Sequence, residues 1–123
     1  MPPSSRHEPI EVLLLEDDAL LNLATAEMLD QLGFRVTACM EVEEALAAIA
    51  GKRPQIGVLD VNIRGTQRYE VAEQLRDLDI PIIFLTGETV ASLAVVWQRT
   101  PVCQKPCVPE ELKLRILRLV RPG

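Results

Sequence analysis

Three short apolar runs, each cut off by polar residues, constrain the fold of this chain more than anything else in its sequence. Ile10 to Leu15 runs into Glu16, Asp17 and Asp18; Ile56 to Leu59 runs into Asp60; Ile82 to Leu85 runs into Thr86 and Gly87. Such runs are too short for helices and too continuously apolar for half-wet strands. They read as central strands of a parallel sheet, buried on both faces. Phe34 to Ala38 alternates apolar and polar residues, as a strand with one wetter face does, and is assigned to an edge. Thr100 to Gln104 is a brief fifth strand.

Helical patterns fill the spaces between. After the first run, Leu21, Ala24, Met28, Leu29 and Leu32 share a helical face and Gly33 supplies the stop. Glu41 to Ala50 places Val42, Ala45, Leu46 and Ile49 on one stripe behind early glutamates, and Gly51 with Pro54 ends it. Gln67 to Leu78 and a shorter Glu88 to Gln98 are the third and fourth helices. Pro109 opens the last one at a first helical position, with Leu112, Ile116, Leu119 and Val120 inward. Strands alternating with helices predict an α/β fold, a doubly wound five-stranded parallel sheet with right-handed crossovers; strand order 2-1-3-4-5 is taken as the working order for such a sheet.

At 123 residues and 48% hydrophobic the chain can bury one core without staples, and with 3% aromatic residues that core must be aliphatic. Residues 10–121 are taken as one domain, and residues 1–9, polar and broken by proline, as a disordered tail. A net charge of -5 argues against broad binding to nucleic acid or to an anionic membrane surface. No apolar run is long enough to span a bilayer and the N-terminus lacks a signal-peptide core, so a cytoplasmic location is expected. Cys39, Cys103 and Cys107 form no CxxC pair and His7 is the only histidine, which makes a zinc site improbable; the cysteines are read as core or near-surface thiols, ahead of a redox pair.

The ends of the strands carry the chemistry. In a sheet of this order ligands bind at the carboxyl edge where the winding reverses, between the first and third strands. That brings Glu16, Asp17 and Asp60 together. Asp18 is accounted for as a helix cap, but one cap needs one acceptor and the other acids remain. Carboxylates crowded in this way repel unless a cation joins them; a hard ion such as Mg²⁺ suits them, with the Asn62 backbone carbonyl as a further oxygen. Thr86 and Lys105 arrive at the same rim from the last two strands, a hydroxyl and an ammonium suited to phosphoryl oxygens.

The ordered set Glu16-Asp17, Asp60, Thr86-Gly87 and Lys105-Pro106 resembles the receiver domain of two-component response regulators, over about Ile10 to Val120. The resemblance implies that Asp60 accepts a phosphoryl group from a sensor histidine kinase or phosphotransfer protein, with Mg²⁺ on Glu16, Asp17 and Asp60. Lys105 would contact the phosphoryl oxygens and Thr86 would be the switch hydroxyl. Such a domain is no enzyme in the ordinary sense, although it catalyses its own phosphorylation and dephosphorylation. The last helix ends the sequence, so output is expected through a partner protein or an onward relay, and a homodimer stays open.

Several positions depart from the common receiver pattern. Val102 stands where many receivers carry a Tyr or Phe that reports the state of the switch Thr. Arg64 replaces a frequent Pro, Arg68 a Gly, and Cys107 the usual Phe after Lys-Pro. Phe84, Thr86 and Gly87 look more like stand-alone receivers with a Phe-Ala-Thr-Gly motif, with Leu85 in the Ala position. Glu88 and Asn62 are expected to flank the water path to the phosphoryl group and tune its lifetime. The surface of the fourth strand, fourth helix and fifth strand is the candidate partner face, against the plainer reading of Val90, Leu93 and Trp97 as core. Two readings from other classes stand beside this one: a receiver-like module that binds a partner without phosphorylation, and a haloacid-dehalogenase-like phosphatase. The latter expects Asp-x-Asp where this chain has Glu16-Asp17-Asp18, and a cap domain for which there is no room.

Overall fold

The computed structural model describes residues 8–87, 93–105 and 107–120. Its elements in order are β1 (Glu11–Leu15), α1 (Ala19–Gln31), β2 (Arg35–Cys39), α2 (Val42–Gly51), β3 (Ile56–Leu59), β4 (Asn62–Ile63), β5 (Thr66–Gln67), α3 (Glu70–Asp77), β6 (Ile82–Thr86), a 3₁₀ turn (Val95–Trp97), β7 (Val102–Gln104) and α4 (Pro109–Val120). The main sheet is parallel with order β2-β1-β3-β6-β7, the working order 2-1-3-4-5 once the small β4-β5 pair is set aside. Leu15 lies level with Leu59, and Leu59 with Phe84, so the residues after these strands emerge side by side along one edge.

Alternate residues of each strand feed opposite layers, because successive side chains leave a strand on opposite faces. Leu13, Leu15, Leu59 and Phe84 pack with Val42, Ala45 and Ile49 of α2, Val71 and Leu75 of α3, and Trp97. Val12, Leu14, Val58, Ile83 and Cys103 pack with Leu29 of α1 and with Leu112 and Ile116 of α4. Gly57 lets α3 close on β3: a Cβ there would lie 2.4 Å from Leu75 Cδ1.

Four expectations need correction. The third helix starts at Glu70 and not at Gln67, because residues 62–67 form an antiparallel hairpin in which Asn62 pairs with Gln67 and Ile63 with Thr66. Its two turn residues, Arg64 and Gly65, have φ of 54° and 83°, the backbone of a primed hairpin turn. The buried face of α1 departs from the predicted one in its first two turns only, since Met28, Leu29 and Leu32 pack inward as expected. Asn22 and Leu29 are buried, whereas Leu21 and Ala24 are exposed and Leu20 is 79% exposed. Asp18 sets that phase by accepting from the Leu21 N–H at 3.0 Å as N-cap. In the fourth helical segment only Val95–Trp97 is helical among the described residues, as 3₁₀, and β7 begins at Val102 instead of Thr100. Glu88 and Val90, and residues 1–7 of the tail, lie outside the described residues.

Leu93 and Trp97 are buried, as the core reading held. Trp97 stacks on Tyr69 with centroids 5.6 Å apart and planes at 2°, and both meet Phe84 edge-on. Val102 packs against the same core layer.

Candidate functional site

Glu16, Asp17 and Asp60 leave the ends of β1 and β3 at the carboxyl edge, and each offers an oxygen within 4.8 Å of the others. Among the described residues they are the one such group of potential metal ligands, and their donors are all carboxylate oxygens. Hard oxygens of this kind fit a hard divalent ion far better than a thiophilic one. Glu16 is 1% exposed and Asp60 6%; Asp17 stands nearer the solvent.

Lys105 follows β7 and reaches across the edge to both buried acids, with Nζ 2.5 Å from Glu16 Oε1 and 2.8 Å from Asp60 Oδ2. The structural ion pair and a role beside Asp60 are therefore served by one placement. The other carboxylate oxygens are also engaged. Asp60 Oδ1 accepts from the Asn62 N–H at 2.9 Å, and Glu16 Oε2 from the Asp18 N–H at 3.1 Å. Burial pushes the Glu16 carboxyl above the usual range, and Lys105 offsets this only in part. Burial alone would pull Lys105 down, but its bonds to Asp60 and Glu16 outweigh that and hold the ammonium above the ordinary lysine value.

Two site residues escaped the sequence reading. Asn22 of α1 is buried, and its Nδ2 donates to the main-chain oxygens of Glu16, at 2.9 Å, and Cys39, at 3.0 Å. It thereby ties the acidic loop to the end of β2. The available signal was a lone amide inside Leu20-Leu-Asn-Leu23. The second is Arg64, whose main-chain N–H donates to Asp17 Oδ2 at 2.9 Å across the hairpin. Thr86 closes β6 at the same edge, its backbone level with Gln104; its side chain, like Glu88, lies outside the described residues.

The cysteines stay apart from this chemistry. Burial pushes the thiol of Cys39 up to about 11 and that of Cys107, with Cys103 beside it, up to about 12. Thiols held protonated in this way are poor nucleophiles.

The family model of the response regulator receiver domain matches residues 12–117, which include every element of the main sheet except the first residue of β1. This chain belongs to that family. The receiver is 32% identical over 118 residues to response regulator MprA of Mycolicibacterium vanbaalenii, covering 92% of this chain and 51% of the relative. It is 31% identical to the probable transcriptional regulator ycf27 of Cyanophora paradoxa, covering 90% of this chain and 48% of that protein. The chain thus spans about half the length of the curated relatives it matches.

Solved structures agree with the receiver fold. SdrG from Sphingomonas melonis Fr1 superposes with a TM-score of 0.74 at 30% identity, covering 89% of this chain and 97% of that one. A putative response regulator from Chloroflexus aurantiacus J-10-fl gives 0.78 at 26%, covering 91% and 98%. The chemotaxis protein CheY4 of Vibrio cholerae, at 24% identity, shares the fold with a TM-score of 0.76 over 90% of this chain and 98% of that one. As a receiver the chain is a signalling domain of two-component response regulators, and the phosphatase reading is not favoured. Among its described residues no helix is long and apolar enough to cross a membrane.

Proposed function

We propose that Asp60 is the phosphoacceptor of this receiver. The observation that carries the reading is the arrangement around its carboxylate: Lys105 Nζ at 2.8 Å from Oδ2, the Asn62 N–H at 2.9 Å from Oδ1, and oxygens of Glu16 and Asp17 within 4.8 Å. A carboxylate oxygen of Asp60 attacks the phosphorus of the donor, the donor's leaving group departs with the bonding electron pair, and an acyl phosphate remains. Lys105 offsets negative charge on the transferred oxygens, and Thr86 is the hydroxyl that bonds them afterwards. Hydrolysis is the attack of water on the same phosphorus, which restores the carboxylate and releases inorganic phosphate. In this sense the domain catalyses its own turnover.

Glu16, Asp17, Asp60 and the Asn62 carbonyl are the residues that would hold Mg²⁺, which supplies positive charge where a phosphoryl group meets a carboxylate. The donor is a histidine kinase or phosphotransfer protein and the readout a partner protein, with residues 10–121 as the acting unit in the cytoplasm. Glu88 and Asn62 border the path of the hydrolytic water. Val102 takes no part as an aromatic switch.

Intact mass after incubation with Mg²⁺ and a small phosphodonor, wild type beside Asp60→Asn, tests the assignment. One acid-stable, base-labile phosphoryl group on wild type alone is expected. No adduct on either, together with no response to beryllofluoride, would favour a constitutive interaction module. Beryllofluoride is an apt probe because SdrG, 29% identical here, has a BeF₃-activated conformation.

A further inference from the structure

We infer that the β4-β5 hairpin is a positioning device for the cation site, acting through the main-chain N–H of Arg64 on the carboxylate of Asp17. The inference rests on the reading that Glu16, Asp17 and Asp60 take a divalent cation.

Asp17 is the least buried of the three acids, and the carboxylates of Glu16 and Asp60 stand close enough to repel its own. Its Oδ2 is nevertheless held at 2.9 Å by the Arg64 N–H, a residue far along the chain on the tip of the hairpin. A carboxylate has about four lone-pair sites, so one amide leaves Oδ1 and part of Oδ2 for a metal. Hydrogen bonds of this kind orient ligands, and losing one typically costs roughly 10- to 100-fold in metal affinity.

The hairpin is built to keep that N–H in place. Ile63, beside the turn, is 4% exposed and packs in the core layer of Val61 and Val71. The Arg68 N–H closes the base of the loop on the Val61 carbonyl at 2.7 Å. Arg64 itself adopts φ of 54°, left-handed backbone that a non-glycine residue seldom enters. Its guanidinium turns outward to Glu41 at 3.6 Å with 71% of the side chain exposed. Backbone and side chain are thus separable: the amide faces the site and the charge does not.

That separation sets the test on the full chain. Mn²⁺ binding is followed by loss of the free-ion EPR signal, and Mg²⁺ binding by calorimetry, for wild type, Arg64→Gly and Arg64→Pro. Arg64→Gly keeps the amide and relieves the backbone, so affinity within about threefold of wild type is expected. Arg64→Pro deletes the N–H and forbids positive φ, so affinity should fall roughly 10- to 100-fold. A folded Arg64→Pro chain, judged by circular dichroism, that binds as wild type does would overturn the inference.

If Arg64→Pro does not fold, the wild-type protein decides. Linkage is reciprocal, so a clamp that favours the ion must be favoured by it. Mg²⁺ should slow hydrogen exchange of the Arg64 amide, and unchanged exchange at saturating Mg²⁺ would overturn the inference. Absence of any divalent-ion binding by wild type would instead bring down the underlying reading of the acidic site.

Discussion

Lys105 Nζ lies 2.5 Å from Glu16 Oε1, so the cation credited with assisting Asp60 also neutralises a carboxylate that has almost no contact with water. Replacing it by Met would leave two buried carboxylates facing each other without a counter-charge. Lys105→Met should therefore lower stability by about 3 kcal/mol, the low end for breaking a buried pair because the lysine side chain is 22% exposed. Urea unfolding at pH 7 measures it; a loss below about 1 kcal/mol would show that solvent already screens the cluster.

The pH dependence follows from the same pair. The carboxyl of Glu16 is raised in the folded state, chiefly by burial, so the folded chain holds that proton more tightly than the unfolded one. Its contribution to stability then falls as pH rises from the ordinary value of 4.5 through the higher folded value. Glu16→Gln should raise the urea midpoint of the metal-free protein at pH 7, with the gain shrinking toward pH 5. A gain that grows on acidification would contradict the direction. The raised Lys105 contributes stability that is complete below 10.5 and lost only as pH climbs through its higher folded value, so it adds no slope near neutrality.

Asn22 has two donors and uses them on two buried carbonyls. Asn22→Leu would add apolar surface to an apolar helix and yet strand the Glu16 carbonyl, at about 1–3 kcal/mol for an unsatisfied buried group, while the Cys39 carbonyl keeps the Glu16 N–H at 3.0 Å. A net loss of roughly 2 kcal/mol is expected in chemical denaturation. Asn22→Asp should also lose stability, since a carboxylate cannot donate and adds charge beside Glu16.

Gly57 is a packing requirement and not a backbone one. A methyl group there meets Leu75 Cδ1 at 2.4 Å, inside a layer where Leu75 has no exposed surface. Gly57→Ala should cost about 1–3 kcal/mol by overpacking. The double variant Gly57→Ala with Leu75→Ala should recover part of the loss suffered by Leu75→Ala alone, and denaturation curves for the set would show whether the two sites couple.

The main architecture was legible because it rests on local signals. Apolar runs at residues 10–15, 56–59 and 82–85 mark buried strands however the chain is wound, and all three end at the observed sheet edge. Glu16, Asp17, Asp60 and Lys105 were readable for the same reason, since a residue just after a parallel strand can emerge at only one edge. The hairpin was missed because strands of two residues carry no periodicity. Its one local sign was Arg64-Gly65 between Ile63 and Thr66.

What the sequence determined by itself was the layering and the placing of the strand-end acids and a lysine at one edge of a parallel sheet, because side-chain period and parallel winding follow from short-range patterns. Tertiary structure decided the rest. Whether Leu21 or Asn22 turns inward depended on the phase set by the Asp18 cap and on two carbonyls, at Glu16 and Cys39, that no stretch of sequence near Asn22 announces. The hold of Arg64 on Asp17 joins residues 47 positions apart through a backbone amide. Every residue but proline carries such an amide, so only the path of the folded chain selects the one that acts.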